Sequence, residues 1–414
     1  MQRPSLAMPA DNPRPHMPPP AATEAQRRAA PGPQIIAIPG PSPLPPRVQR
    51  AMHRASPDIY ADDLAVLNLN LMARLKWLAG TRANLAPFMG NGHAGWEGAT
   101  ANLFNRGDKA LVLASGHFGR SWAETTRAQG VDVEILDFGL APADPARLAE
   151  RLVADKDRAI RAVMLCQTDT ASSATADIPA MRAAMGDHPA LLVVDAIASL
   201  GCAPMRMDDW GVDVLIAASQ KGLMAPPGTC FLWFSDRAAA RGVTDLTTPY
   251  WNWHLRAGAE ALWRFWGGTP PVQQIYGLRE ALVMIEEEGL ESVWHRHALL
   301  ARATWAALDA WGAGNPGIGP VVADPARRSP AVTAAMLPGA DRLRDWTERH
   351  AGVVLGIGLG AADPANALRI AHMGYTNAAM LMGTLGAIEA GMAALSIPRG
   401  RGALEAAATV LATA

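Results

Sequence analysis

Two stretches decide the fold of this chain: Leu-Leu-Val-Val-Asp-Ala-Ile-Ala-Ser-Leu-Gly at positions 191–201 and Val-Leu-Ile-Ala-Ala-Ser-Gln-Lys-Gly at positions 214–222. Each begins with a short apolar run that predicts a buried β-strand, and polar side chains follow where the run ends. Continuous apolar runs are typical of parallel strands that are covered on both faces.

The same pattern recurs on both sides of these stretches. Strands are predicted at 110–113, 131–136, 162–166, 191–194, 214–217 and 229–234. Helix formers with apolar residues at helical spacing fill intervening segments, as in 121–129, 144–153 and 178–185. Strands that alternate with helices predict an α/β fold with a mostly parallel, doubly wound sheet. Ligands bind such sheets at the carboxyl ends of the strands.

Composition divides the chain into three predicted parts. Residues 1–33 are rich in Pro, Ala and Arg and poor in large apolar groups, which predicts a disordered tail. Residues 34–288 form the predicted large domain. Residues 289–414, with a long helix at 290–311 followed by short strands and an apolar helix, predict a smaller α+β domain.

Charge and cysteine content exclude several classes of protein. The 414 residues are 50% hydrophobic and carry a net charge of -1, which gives no electrostatic footprint for nucleic acid and no basic face for a membrane. Cys166, Cys202 and Cys230 form no C-x-x-C pair, which argues against a disulfide framework and a zinc site, and no other metal site is expected. The N-terminus lacks the apolar segment of a signal peptide, so we expect a cytoplasmic protein.

Asp195 directly follows one predicted strand, and Lys221 lies four residues after the end of another. A carboxylate at the end of a buried strand is costly unless it has a partner, such as a metal, an arginine or a protonated ring nitrogen. Taken alone, Asp195 is better explained as a helix N-cap. A partly buried lysine has a lowered pKa and becomes nucleophilic, as a Schiff-base lysine requires. Taken alone, Lys221 is equally well explained as a surface residue.

Other polar and aromatic residues belong to the same predicted sheet edge. Phe118, between Gly116 and Gly119, can stand over a flat group or pack in the core, and Thr170 can bond a ligand hydroxyl. The glycine-rich turn at 90–95 leads into a helix, which makes an anion site, although no strand is predicted before it. Together, an anion site, an aromatic plate, a hydroxyl, a carboxylate and a lysine describe a site for pyridoxal phosphate (PLP).

From Ile38 to Leu395 the order of motifs resembles the class V aminotransferases of PLP fold type I, most of all the alanine–glyoxylate and serine–glyoxylate enzymes. The shared motifs are Pro39-Gly40-Pro41-Ser42, Gly107-Asp108-Lys109, Val194-Asp195, Ser219-Gln220-Lys221, Pro226-Pro227-Gly228, Thr269-Pro270-Pro271 and Leu368-Arg369-Ile370. The resemblance implies transfer of an amino group from a small amino acid, such as alanine or serine, to a 2-oxo acid such as glyoxylate or pyruvate.

The resemblance also implies roles for single residues. Lys221 would form the Schiff base and move the substrate proton, while Asp195 would keep the pyridine nitrogen protonated. The other implied cofactor contacts are ring stacking by Phe118 and Ile197, a bond from Thr170 to the ring hydroxyl, and phosphate binding by Gly92, His93 and Gln220.

Three further implied residues concern the substrate and a second subunit. Arg369 would bind the substrate carboxylate, and Gly40 would lie beside the substrate. Thr269 would reach the phosphate of a neighbouring subunit, which implies a homodimer with shared sites. The usual Tyr-His-His before this threonine is Trp266-Gly267-Gly268 here, so Trp266 replaces a tyrosine contact or the contact is lost.

Alternatives remain open. The Asp169-Thr170 pair and the run 369–374 also resemble pyridoxamine–pyruvate aminotransferase, which uses the vitamer as its substrate. A cysteine desulfurase-type lyase shares the scaffold but needs a cysteine on a mobile loop. A non-catalytic PLP-fold binding protein would act through the tail at 1–33.

Overall fold

The computed structural model describes residues 32–60 and 62–413. The predicted tail at 1–33 therefore lies almost wholly outside the described residues. The strands are β1 Ile35–Ala37, β2 Asn84–Gly90, β3 Lys109–Ala114, β4 Asp132–Asp137, β5 Ile160–Cys166, β6 Thr168–Asp169, β7 Ala174–Thr175, β8 Leu191–Asp195, β9 Val214–Ala218, β10 Gly228–Phe234, β11 Gly319–Pro320, β12 Val332–Met336, β13 Val353–Ile357 and β14 Ala367–Ala371.

The helices lie between and around these strands. They are α1 Pro46–Met52, α2 Asp62–Leu78, α3 Gly92–Leu103, α4 His117–Ala128, α5 Pro145–Ala154, α6 Ile178–Ala184, α7 Asp236–Ala239, α8 Leu262–Trp266, α9 Val272–Glu288, α10 Leu290–Gly312, α11 Ala340–Trp346, α12 Ala378–Ala394 and α13 Ala403–Leu411. Short 3₁₀ turns and one π turn complete the secondary structure.

The large sheet confirms the predicted α/β architecture. Its order is β2-β10-β9-β8-β5-β3-β4, and every neighbouring pair from β9 to β4 is parallel. The six predicted strands correspond to β3, β4, β5, β8, β9 and β10. Separate apolar clusters pack on its two faces, so the central strands are buried on both sides. In this register Asp195 lies opposite Cys166 on one side and Ile216 on the other.

One strand of the large sheet was not predicted. Strand β2 runs directly into the glycine-rich turn, where no preceding strand was expected. Pro87 lies in its middle, and proline cannot donate the hydrogen bond that an interior strand needs. The structure accommodates Pro87 because β2 is an edge strand that pairs only with β10.

A second sheet has the order β1-β13-β14-β12-β11 and is mixed. Helices α10, α11 and α12 share one apolar cluster with it. Strand β1 comes from the predicted large-domain range 34–288, yet it pairs with Val353–Leu355 of this sheet. The division of the chain at 288/289 stays a prediction. No helix in the described residues combines the length and apolar character that crossing a bilayer requires.

Candidate active site

A cavity of about 180 Å³ opens at the carboxyl ends of β8 and β9, next to the N-terminus of α3. It brings together every residue predicted to bind the cofactor except Thr269. The lining comprises Asn91, Gly92, His93, Trp96, Phe118, Thr168, Thr170, Asp195, Ile197, Ala198, Gln220 and Lys221. These residues come from five separate segments of the chain, which the sheet topology gathers at one edge.

Asp195 ends β8 and is 5% exposed. Its Oδ1 accepts a hydrogen bond from the Ile197 amide at 2.7 Å, and its Oδ2 accepts one from the Trp96 indole N–H at 2.9 Å. Burial raises the pKa of Asp195 to about 6 although these donors oppose the shift. The carboxylate can therefore gain from a cationic partner within the cavity.

Lys221 follows β9 and points its ammonium group at the main chain of the segment after β1. Its Nζ donates to the Pro39 carbonyl, and its own carbonyl accepts from the Ser42 hydroxyl at 2.7 Å. Burial lowers the pKa of Lys221 to about 8, and the positive charge of Arg369 adds to the shift. The neutral, nucleophilic amine is thus accessible near neutral pH.

The N-terminus of α3 forms the opposite side of the cavity. The Asn91 side chain caps this helix by accepting from the amides of His93 and Ala94 at 3.1 and 3.4 Å. Gly92 packs so tightly against Ile197 that a Cβ there would collide with it. The Gln220 side chain reaches the same region, and its buried Oε1 has no hydrogen-bond partner among the described residues. A helix N-terminus with unused polar capacity suits an anion.

Asp169 positions two of the lining residues, and the sequence did not single it out for this. It is 1% exposed, and its Oδ2 accepts from the Gly119 amide at 2.9 Å at the start of α4. Its Oδ1 accepts from the Ala171 amide at 2.9 Å. The carboxylate therefore ties the turn that carries Phe118 to the turn that carries Thr170. Burial raises the pKa of Asp169.

A second cavity of about 350 Å³ adjoins the first and shares Phe118, Thr170 and Lys221 with it. It contains both residues predicted to contact substrate, Gly40 and Arg369. The Nε of Arg369 donates to the Ile357 carbonyl at 2.7 Å, and its Nη1 donates to the Thr170 carbonyl at 3.2 Å. Burial lowers the pKa of Arg369 to about 10, so the guanidinium stays charged at neutral pH.

Two residues expected near the phosphate lie elsewhere in this chain. Trp266 is fully buried, and its indole N–H donates to the Asn68 side chain at 3.0 Å. It does not replace the tyrosine contact of the usual motif within this cavity. Thr269 is exposed and lies outside both cavities. Its contact with a neighbouring subunit stays a prediction.

The cysteines are free and buried, as core residues are. Cys166 and Cys230 lie on β5 and β10, and Cys202 lies in a turn where burial raises the pKa of its thiol to about 11. None is placed as an exposed loop nucleophile. Within residues 32–60 and 62–413, no three acidic, histidine or cysteine side chains are grouped as a metal site would require.

Trp96 and Arg344 are among the cavity residues that sequence reasoning missed. Trp96 bonds Asp195 from 99 positions away, and the only local signal was its place near a helix start. Arg344 lines the second cavity from α11, in a segment predicted only as a helix. Contacts between distant segments leave no pattern of spacing in a single sequence.

Comparison with known proteins shows which proteins this chain is similar to. The chain is 36% identical over 372 residues to the serine–glyoxylate aminotransferase of Methylorubrum extorquens, covering 87% of this chain and 91% of the relative. It is 34% identical over 371 residues to the L-aspartate–glyoxylate aminotransferase of Paracoccus denitrificans, covering 88% and 92%. The crystal structure of pyridoxamine–pyruvate aminotransferase from Mesorhizobium loti superposes with a TM-score of 0.82 at 27% identity, covering 92% and 97%.

The superposition shows the fold of type I PLP-dependent enzymes, as the resemblance implied. The family profile "Aminotransferase class-V" matches residues 88–348, a range that includes the strands of the large sheet from β3 onward and the Lys221 turn. The chain is therefore a member of the class V aminotransferase family.

Proposed function

We propose that this aminotransferase uses PLP to move an amino group from a small amino acid to a 2-oxo acid such as glyoxylate or pyruvate. One observation carries the proposal: Lys221 lies at the junction of two cavities, one containing the Asp195 carboxylate and the other the Arg369 guanidinium. The names of its relatives, which include serine–glyoxylate and L-aspartate–glyoxylate aminotransferases, support glyoxylate as an acceptor.

The residues of the first cavity fit PLP. Asp195 at one side suits a protonated pyridine nitrogen, and the N-terminus of α3 with the unpartnered Gln220 amide at another side suits a phosphate. Phe118 and Ile197 offer apolar surfaces for the faces of a planar ring. The Thr170 hydroxyl is available for the ring oxygen.

Each residue then has a task of its own. Bound PLP supplies an electron sink that weakens the Cα–H bond of the attached amino acid. Asp195, held by Trp96 and Ile197, stabilises positive charge at the ring nitrogen. Lys221, with its lowered pKa, would take the proton from the substrate Cα and return it to the cofactor carbon C4′. Arg369 orients the substrate by binding its carboxylate in a bidentate manner.

The proposal extends to the oligomeric state and the cellular compartment of the enzyme. We infer a homodimer in which the exposed Thr269 reaches the phosphate of a neighbouring site, as in the family pattern. We also infer that the enzyme acts in the cytoplasm, because its cysteines are free and buried.

A second candidate is transamination of pyridoxamine with pyruvate. The likeness to the Mesorhizobium loti structure favours it, since that enzyme shares 27% of its residues with this chain over nearly the whole fold. The Gln220 side chain in the first cavity instead favours a phosphorylated cofactor that stays bound. Pyridoxamine as the donor, with pyruvate as the acceptor, distinguishes the two candidates.

The decisive experiment combines a spectrum with an activity panel. The purified protein, loaded with PLP, should show a visible absorption band that is lost in Lys221→Ala and retained in Lys156→Ala, a variant at an exposed loop position. It should transfer amino groups from alanine, serine or aspartate to glyoxylate. Absence of the band, or absence of turnover with every small donor, would overturn the proposal. Sulfide release from cysteine would instead indicate a desulfurase, and PLP binding without any turnover a non-catalytic protein.

A further inference from the structure

The second cavity is lined by another arginine besides Arg369. Arg344 lies on α11, which packs beside β13, and its side chain lines the cavity together with Arg369 and Lys221. These three are the only ionisable residues in that lining; Lys221 is taken up by the cofactor in the proposed reaction, and the two arginines remain as cations. The cavity therefore carries more positive charge than a single substrate carboxylate would neutralise.

The guanidinium of Arg344 forms no ion pair with any described residue. Its Nε makes one long contact, 3.4 Å, with the Leu355 carbonyl. By contrast, Arg349, five positions later, pairs with Asp345 at 2.8 Å. Arg344 is half-buried, and a partly desolvated cation without a partner gains from a bound anion.

Arg344 also lies close enough to Arg369 for the two charges to interact, since Arg344 contributes to the lowered pKa of Arg369. Two arginines that repel one another across a cavity both gain when anions bind between them. A substrate with one carboxylate satisfies Arg369 alone. A substrate with a second carboxylate on its side chain satisfies both.

We propose that Arg344 is a specificity-determining residue that binds the distal carboxylate of a dicarboxylic substrate, so that the enzyme prefers an acidic amino donor such as aspartate over its neutral counterparts. This inference rests on the proposed aminotransferase function and assigns the substrate class of the same site. Apart from Lys221 and Arg369, Arg344 is the only charged residue in the lining of this cavity, so it is the residue left to recognise a second carboxylate.

The test compares donors that differ only in charge. With glyoxylate as the acceptor, kcat/KM is measured for aspartate and asparagine, with alanine as the reference, in the PLP-loaded wild type and in Arg344→Gln. The wild type should favour aspartate over asparagine. Arg344→Gln should lose about ten- to a hundredfold for aspartate, the usual worth of a charge-assisted hydrogen bond, and change little for alanine. Arg342→Gln, at an exposed position of the same helix outside the cavity lining, is the matched control.

Each outcome has a distinct meaning. Equal losses for aspartate and alanine in Arg344→Gln would overturn the assignment, because they would indicate a general structural effect. A wild type that transfers from alanine and shows no preference for aspartate over asparagine would overturn it while leaving the aminotransferase function intact. A wild type inactive with every donor would instead contradict the proposed function itself.

Discussion

Trp96 donates its indole N–H to Asp195 across 2.9 Å, which connects the first turns of α3 to the carboxyl end of β8. The bond opposes the effect of burial on the Asp195 carboxylate, because a donor stabilises the charged form. In the proposed reaction Trp96 is thereby a positioning residue behind the carboxylate that would pair with the ring nitrogen of the cofactor.

Removing the Trp96–Asp195 hydrogen bond should move the acid limb of the pH profile of kcat/KM to higher pH. The pKa of Asp195 is about 6 before the cofactor binds, and a paired ring cation would lower it; the carboxylate is lost as the pH falls through that lowered value. Trp96→Phe removes a donor to the anion, so the pKa should rise and the acid limb of kcat/KM should move up by about one to two pH units. Trp122→Phe is the control, since Trp122 stacks on Trp96 but its N–H bonds no described residue. A similar displacement in both variants would refute the hydrogen bond as the cause.

Gly40 should prove intolerant of any side chain. Its φ of 119° is one that side chains rarely adopt, and a Cβ there would collide with the Lys221 ammonium group. Gly40→Ala should displace Lys221 and lower kcat on the order of a hundredfold, the usual cost of a displacement of about 1 Å. Gly139→Ala, with a φ of 67° and no neighbour within 4 Å, is the control for a positive-φ glycine whose substitution causes no collision. Full activity in a folded Gly40→Ala protein would contradict the close approach.

Gln220 should control affinity for the cofactor phosphate. Gln220→Glu adds a negative charge where an anion is expected, so the Kd for PLP should rise by about tenfold or more, as repulsion at short range implies. Equilibrium dialysis of the apoprotein measures this directly. Gln273→Glu carries the same charge on α9 outside the cavity and should bind PLP as the wild type does. Equal affinities for both variants would place the phosphate elsewhere.

Two buried histidines should make the fold sensitive to acid. Burial lowers the pKa of His297 to about 3 and that of His372 to about 4. Both values lie below the unfolded value of 6.5, so their contribution to stability is present above pH 6.5 and is lost as the pH falls towards 3. The free energy of unfolding should therefore decline by up to about 1.4 kcal/mol per pH unit for each residue.

Urea unfolding at several pH values checks this expectation. His297→Gln should show a shallower decline between pH 6.5 and 4 than the wild type. His350→Gln, at a half-buried helix end, should decline like the wild type. Parallel curves for wild type and His297→Gln would mean that other groups cause the loss.

Apolar runs were the part of the fold that the sequence could predict. Strands β3, β5, β8 and β9 are buried on both faces, so their composition alone identified them. Strand β2 contains Pro87, and proline disfavours the interior of a sheet, so no strand was predicted there. Pro87 is tolerated because β2 lies at the edge of the sheet, a position that only the tertiary structure determines.

The site was predictable where its residues lie at or just after the carboxyl ends of strands. Asp195 and Lys221 could be placed at one edge because the carboxyl ends of parallel strands meet there. Asp169 as a cap for α4 and Arg344 as a cavity residue could not, because both depend on contacts between segments that are far apart in sequence. The sequence could not decide whether Trp266 replaces the tyrosine contact or the contact is lost, because its partner, Asn68, lies on a distant helix.

Strand β1 has a consequence for the order of events on the ribosome. Ile35 pairs with Val353, so this strand must wait for 353 − 35 = 318 further residues before its partner exists. At the usual rate of about 5–20 residues per second, that wait lasts roughly 16 to 64 s. Pro39 and Gly40, which contact Lys221, directly follow this strand. The nascent chain therefore carries a fully synthesised large sheet well before Pro39 and Gly40 can take their final places beside Lys221.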